Sequence, residues 1–120
     1  MNPTFLVQTS IQCSTPQGDI VKAKRREYFG ISPTVGMHVD VELANRPLQV
    51  RRITLNGPPH KHLCDLDLES FFVDFNVDEL LTDLEVQGYY EVRIFLANDL
   101  SVSCTPLAYK EMKKEESNSG

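Results

Sequence analysis

Residues 65–88 read DLDLESFFVDFNVDELLTDLEVQG, and the way this stretch folds decides what the rest of the chain can build around it. Its second half spells a helix. Val77, Leu80, Leu81 and Leu84 fall at i, i+3, i+4 and i+7, a single apolar stripe. Asn76 precedes the stripe as an N-cap, its side-chain oxygen able to accept an orphan backbone N–H. Glu79, three residues on, completes the outline of a capping box. Asp78 and Glu79 also sit where the helix dipole favours negative charge. Gly88 can take the left-handed conformation that closes a helix. The spacing predicts a helix over about 76–87, and one this short needs a surface to pack on.

The first half, 65–75, carries two periods at once. Leu68, Phe71, Phe72 and Phe75 fit a helical spacing, whereas Cys64, Leu66 and Leu68 alternate as in a strand. The reading adopted is an extended start that turns near Ser70, with the phenylalanines fixing the helix entry against a sheet. The whole stretch holds eight carboxylates (Asp65, Asp67, Glu69, Asp74, Asp78, Glu79, Asp83 and Glu85) and no Lys or Arg. Such a run is ordinarily a solvated face. Its functional alternative is an acidic surface offered to a basic partner, or one that imitates nucleic acid.

Working outward, Tyr89–Ala97 reads as a strand rich in branched and aromatic residues, with a tight turn at Asn98-Asp99. Leu100–Tyr109 is expected as the last strand, with Pro106 marking an edge or a strand end. Residues 110–120, KEMKKEESNSG, are expected to form a disordered or frayed C-terminal tail, with a helical turn or two at most. In the other direction, Phe5, Val7, Thr9, Ile11 and Cys13 alternate with polar Gln8, Ser10 and Gln12, a half-buried strand. Residues 20–29 return after the turn STPQGD as its hairpin partner. Met37, Val39, Val41 and Leu43 alternate in the next strand, and Leu48–Leu55 returns before the break at NGPP.

The expected fold is therefore α+β: a mainly antiparallel sheet of about six strands, in the order β-β-β-β-α-β-β, with one main helix. One helix cannot cover both faces of six strands. A strongly curved or barrel-like sheet is the first solution, and an uncovered face buried in a dimer is the second. The length of 120 residues suits a single domain, placed at 1–109 with the tail at 110–120.

Composition narrows the function classes. No run of about 18 apolar residues offers a membrane span. MNPTFLVQTS lacks a basic region ahead of an apolar core and does not read as a secretory signal. Cys13, Cys64 and Cys104 are odd in number and far apart, as in a reduced, cytoplasmic protein. The net charge of −5 is unevenly spread. Residues 1–62 hold eight Lys or Arg against four acids, and residues 63–120 hold four against thirteen.

Three functional readings follow. The first is a non-catalytic binding protein that engages a partner protein, or a second copy of itself as a dimer. Its surface would be the acidic helix region, with Phe71, Phe72, Asp74, Asp78, Asp83 and Glu85, or an uncovered sheet face. The second is single-stranded nucleic-acid binding through Lys22, Lys24, Arg25 and Arg26, with Tyr28 and Phe29 alongside and Arg51 and Arg52 on a neighbouring strand. There cations would track phosphates and rings would stack on bases; the acidic net charge argues against it. The third is a small enzyme or ligand-binding protein with a pocket inside the curved sheet.

Catalysis finds little purchase in the motifs. G-x-S-x-G, H-E-x-x-H, P-loop and dinucleotide fingerprints are all missing from the sequence. Cys13 and Cys104 fall on expected strands, where a buried, inert thiol is the common case. His60, His62 and Cys64 alternate in PPHKHLCDLD and could meet one ion if extended. No second ligand pair accompanies them, so an exposed histidine loop beside a buried cysteine is preferred. No catalytic residue, cofactor or metal is assigned.

Overall fold

The period-two alternation that begins at Phe5 builds the central hairpin of the molecule. The structure, a computed structural model, describes residues 4–57 and 64–118. Strand β1 (Phe5–Ser14) pairs antiparallel with β2 (Ile20–Phe29) along its whole length, from Phe5 opposite Phe29 to Ser14 opposite Ile20. The turn closes through Thr15 and Asp19, and Gly18 supplies its left-handed residue at φ +91°. Next come β3 (His38–Val41), a short 3-10 turn at Glu42–Ala44, and β4 (Arg46–Leu55). Asn45, at φ 57°, reverses the chain between them.

The stretch at 64–75, whose two periods left helix and strand both open, is extended and broken near Ser70, as in the reading adopted for it. It forms β5 (Cys64–Leu68) and β6 (Phe71–Phe72), with the break at Glu69 and Ser70. Helix α1 (Val77–Val86) follows, then β7 (Tyr90–Phe95), β8 (Ser103–Cys104) and helix α2 (Pro106–Asn118). The caps of α1 are those written in the sequence. The Asn76 side chain accepts the Glu79 N–H at 3.0 Å. At the other end Gly88 (φ +81°) donates to the Glu85 carbonyl and Tyr89 donates to that of Leu84, the paired bonds of a Schellman turn.

The sheet is mostly antiparallel, in the order β3-β4-β5-β1-β2-β7-β8, with β6 also beside β1. It departs from expectation in three ways. Among the described residues it has eight strands where about six were expected, because 64–72 contributes two. Second, β5 and β6 run parallel to β1 and break the run of simple hairpins. Third, the sheet is open and not barrel-like: β3 and β8 are its ends, four and two residues long.

The end of the chain also differs. Strand pairing is confined to Ser103–Cys104, and from Pro106 the chain is helical, so two helices are seen among the described residues. Thr105 caps α2, accepting the Ala108 N–H on its hydroxyl and the Tyr109 N–H on its carbonyl. Pro106 sits where a helix tolerates proline best, in its first turn. Tyr109, 4% exposed, is the residue through which α2 joins the core.

The open sheet has a physical reason. Strand β6 lies beside β1 and β7 beside β2, so α1, which connects them, crosses the central hairpin. The buried stripe Val77, Leu80, Leu81 and Leu84 shares one core with Val7, Ile11, Cys13, Val21, Ala23, Leu66 and Ile94. Curling was expected on the premise that both sheet faces need cover. The other face of the hairpin carries Ser10, Gln12, Lys22, Lys24 and Arg26, which water can solvate, and buried Gln8, whose amide is satisfied by Tyr90 and Asp65. That face therefore needs no second helix across it.

Candidate binding face on the open side of the sheet

Strand alternation decides which side chains meet on the open side. Along β2, Lys22, Lys24, Arg26 and Tyr28 point away from α1, while Val21, Ala23, Arg25 and Glu27 point beneath it. The register sets Gln12, Ser10 and Gln8 of β1 opposite Lys22, Lys24 and Arg26. On one flank, β7 places Arg93 opposite Lys22 and Tyr90 opposite Lys24, with a bulge between. Within that bulge Glu91 takes φ 50° and turns toward Lys24, with Nζ to Oε2 at 3.3 Å. On the other flank β5 presents Asp67 beside Ser10, and β4 presents Arg52 opposite Asp67 at 3.0 Å.

These strands frame an open groove of about 1180 Å³, floored by Ser10 and Gln12, with Thr105 and Pro106 at one end. A second bulge, between Val50 and Arg52, adds an extra residue to β4. That residue, Arg51, lines a smaller recess with Glu69 and Ser70 that shares Gln12 and Leu68 with the groove. Groove and recess together hold five cations (Lys22, Lys24, Arg51, Arg52, Arg93) against three acids (Asp67, Glu69, Glu91), a local charge of 5 − 3 = +2. Among the described residues, Lys22, Arg51 and Arg93 have no carboxylate within ion-pair distance. Exposed pairs such as Lys24–Glu91 are worth about 0–1 kcal/mol, so they orient the side chains more than they stabilise the fold.

Two cations rest on rings. The Lys22 ammonium lies 5.1 Å above the centre of Phe95, and the Arg26 guanidinium lies 5.6 Å above that of Tyr90. Tyr90 is fixed from below, its hydroxyl donating to Gln8 Oε1, while Gln8 Nε2 donates to Asp65 Oδ1 at 3.0 Å. Beyond them on the same face stands Tyr28, 74% exposed.

Of the basic residues singled out in the sequence, Lys22, Lys24, Arg26, Arg51 and Arg52 come together here, and Arg25 does not. It lies under the sheet beside the end of α1, where Nη1 donates to the Gln87 carbonyl at 3.2 Å and Nη2 pairs with Glu27. Its guanidinium is 4.7 Å above the Tyr89 ring. Burial pushes the Tyr89 hydroxyl up, with Arg25 opposing that shift. Arg93, Glu91 and the Tyr90 and Phe95 rings were not singled out, because the β7 bulge breaks the alternation that would have aligned them with β2.

The acidic set is divided. Asp74, Asp78, Asp83 and Glu85 are exposed on and just before α1. Phe72 is 82% exposed, but Phe71 is 3% exposed and belongs to the core, so it has no surface to offer. The expected pocket inside a curled sheet gives way to an apolar core on the α1 side and an open groove on the other.

His60 and His62 lie outside the described residues. Their neighbour Cys64 is buried, and burial and Asp65 together push its thiol up. Burial alone pushes Cys13 up to about 12. Cys104 is also raised by burial, with Arg93 pulling the other way. All three are free thiols held protonated at neutral pH, the unreactive form. No protein-family model matches the chain, and no curated protein or solved structure matches it.

Proposed function

We propose that this protein is a small binding module whose working surface is the open sheet face, and that what lies there is an extended, negatively charged chain. The observation that carries this reading is the grouping of Lys22, Lys24, Arg51, Arg52 and Arg93 around one groove in a protein of net charge −5. The acidic surplus sits elsewhere, with Asp74, Asp78, Asp83 and Glu85 around α1 on the other side of the sheet. A broad groove with small polar side chains on its floor suits a chain passing through it. An enclosed small molecule would have more walls to bury against.

Immobilised heparin at low salt is a direct probe. The protein is expected to be retained and released by added salt, while Lys22→Glu with Arg93→Glu flows through. Both residues are exposed, so the double variant keeps the fold. Flow-through of the unaltered protein at low salt refutes the reading.

A second reading rests on Phe72 and Val86, which are 82% and 80% exposed and flank the carboxylates Asp74, Asp78, Glu79, Asp83 and Glu85. An apolar side chain beside carboxylates suits a basic protein surface. Charge reversal at Asp78, Asp83 and Glu85 is then expected to change what the protein captures from cell extract. An unchanged set of captured proteins refutes it.

A further inference from the structure

We infer that the anionic chain held on the open face is a single strand of nucleic acid, stacked on Tyr28 and on the Arg26–Tyr90 pair. This rests on the open face being the binding surface, and three features of that face narrow its partner.

The cations are interleaved with rings. Reading β2 on its open side gives Lys22, Lys24, Arg26, Tyr28, and two of the three cations sit over aromatic groups. An acidic peptide or a sulfated sugar chain presents charge but few flat surfaces. Every nucleobase presents a π-face as well as a phosphate. Tyr28, exposed and apolar-bodied at the end of a cation row, is useful to the second kind of chain and of little use to the first.

The Arg26 guanidinium is a prepared platform. It lies 5.6 Å above the centre of the Tyr90 ring, which is anchored through Gln8 to Asp65. Arg26 is exposed, and a guanidinium held over a ring can take a base on its free side. Holding the side chain there in advance reduces the ordering cost of binding.

The surface also has the wrong shape for a duplex. Reading double-stranded DNA takes a helix or β-ribbon that enters a groove of the nucleic acid. Here the protein supplies the groove, and its floor of Ser10 and Gln12 lies between a Lys row on β2 and Arg51 and Arg52 on β4. Lys22 and Arg26, four residues apart on a strand, span about 13 Å, a track for backbone phosphates. The acidic surface of α1, behind the sheet, repels the same strand and directs it to the open side.

The test is fluorescence anisotropy with a labelled single-stranded oligonucleotide across a salt series, with heparin, poly-glutamate and a duplex as competitors. Affinity is expected to fall with salt, the single strand to outcompete poly-glutamate and duplex, and Lys22→Glu with Arg93→Glu to flatten the log–log slope by about 1.4. Tyr28→Ala is expected to weaken binding roughly 5- to 150-fold, the range for one stacked base, while Tyr28→Phe keeps it. Circular dichroism and the urea midpoint of each variant check that the fold is intact.

If heparin is bound but the single strand is not preferred, or Tyr28→Ala binds as well as the parent, the nucleic-acid inference is overturned and the anion-binding face stands. If neither heparin nor the oligonucleotide binds at low salt, both are overturned.

Discussion

Arg25 and Arg26 are adjacent in sequence and opposite in role, and exchanging each for Ala should separate stability from binding. The Arg25 side chain is 19% exposed and that of its partner Glu27 is 24% exposed. Arg25→Ala removes the ion pair, the bond to the Gln87 carbonyl and the contact with Tyr89 together, and leaves Glu27 half-buried without its cation. Breaking a fully buried pair costs about 3–5 kcal/mol, and losing an exposed one costs under about 1 kcal/mol. At one-fifth exposure the cost should be about 2–3 kcal/mol, a large share of a typical stability of about 5–15 kcal/mol. With a urea slope of about 1.5 kcal/mol per M, the midpoint falls by roughly 1.3–2 M.

Arg26→Ala loses only a solvent-exposed cation–ring contact, worth about 0.5 kcal/mol, and shifts the midpoint by roughly 0.3 M. Oligonucleotide anisotropy at a temperature where both variants are folded should show the reverse ranking, with Arg26→Ala weak and Arg25→Ala near the parent. Adding Glu27→Gln to Arg25→Ala should recover part of the loss, because the stranded carboxylate is gone. Equal midpoint shifts for the two arginines, or lost binding in Arg25→Ala alone, would sink the assignment of faces.

Asn76→Ala, which deletes the cap on the Glu79 N–H, is expected to cost about 1 kcal/mol in urea unfolding; an unchanged midpoint would mean that the cap is not formed in solution. Glu69 accepts the Gln49 N–H at 2.7 Å and pairs with Arg46 at 3.1 Å, which holds its carboxyl below the usual carboxylate range. Its contribution is therefore complete above an ordinary Glu value of about 4.3 and lost as pH falls through the lower folded value. The stability gap between the parent and Glu69→Gln should be constant near neutrality and close in acid, and a gap independent of pH would contradict the hydrogen bonding described. Under native conditions, thiol labelling followed by mass spectrometry should find half-buried Cys104 modified before fully buried Cys13, whose thiol is pushed up to about 12; the opposite order would contradict the placement of β1 in the core.

Much of the architecture was legible because its causes are local. The alternation in β1 and β2, the left-handed Gly18 turn and the Asn76–Gly88 frame of α1 each depend on residues within a few positions of one another. Local signals also existed at Thr105-Pro106, an N-cap followed by proline in a first helical turn. Treating that proline as a strand end hid α2. The run 64–72 could not be assigned to its place, because its parallel pairing with β1 joins residues more than fifty positions apart. Nothing near Cys64 or Phe71 specifies that partner.

The sequence by itself determined which residues can share a face: period two places Lys22, Lys24, Arg26 and Tyr28 together, and period 3.6 gives α1 its one apolar stripe. It could not say which face α1 would cover, and that choice sends Arg25 into a half-buried ion pair and Arg26 to the surface. It also could not bring Arg51, Arg52 and Arg93 to the same groove. They arrive through two β-bulges and through β5 docking beside β1, arrangements set by how distant strands bury their apolar sides together. Local chemistry writes the elements, and the shared burial of β1, β2, β5 and α1 decides which of their polar sides remain in water.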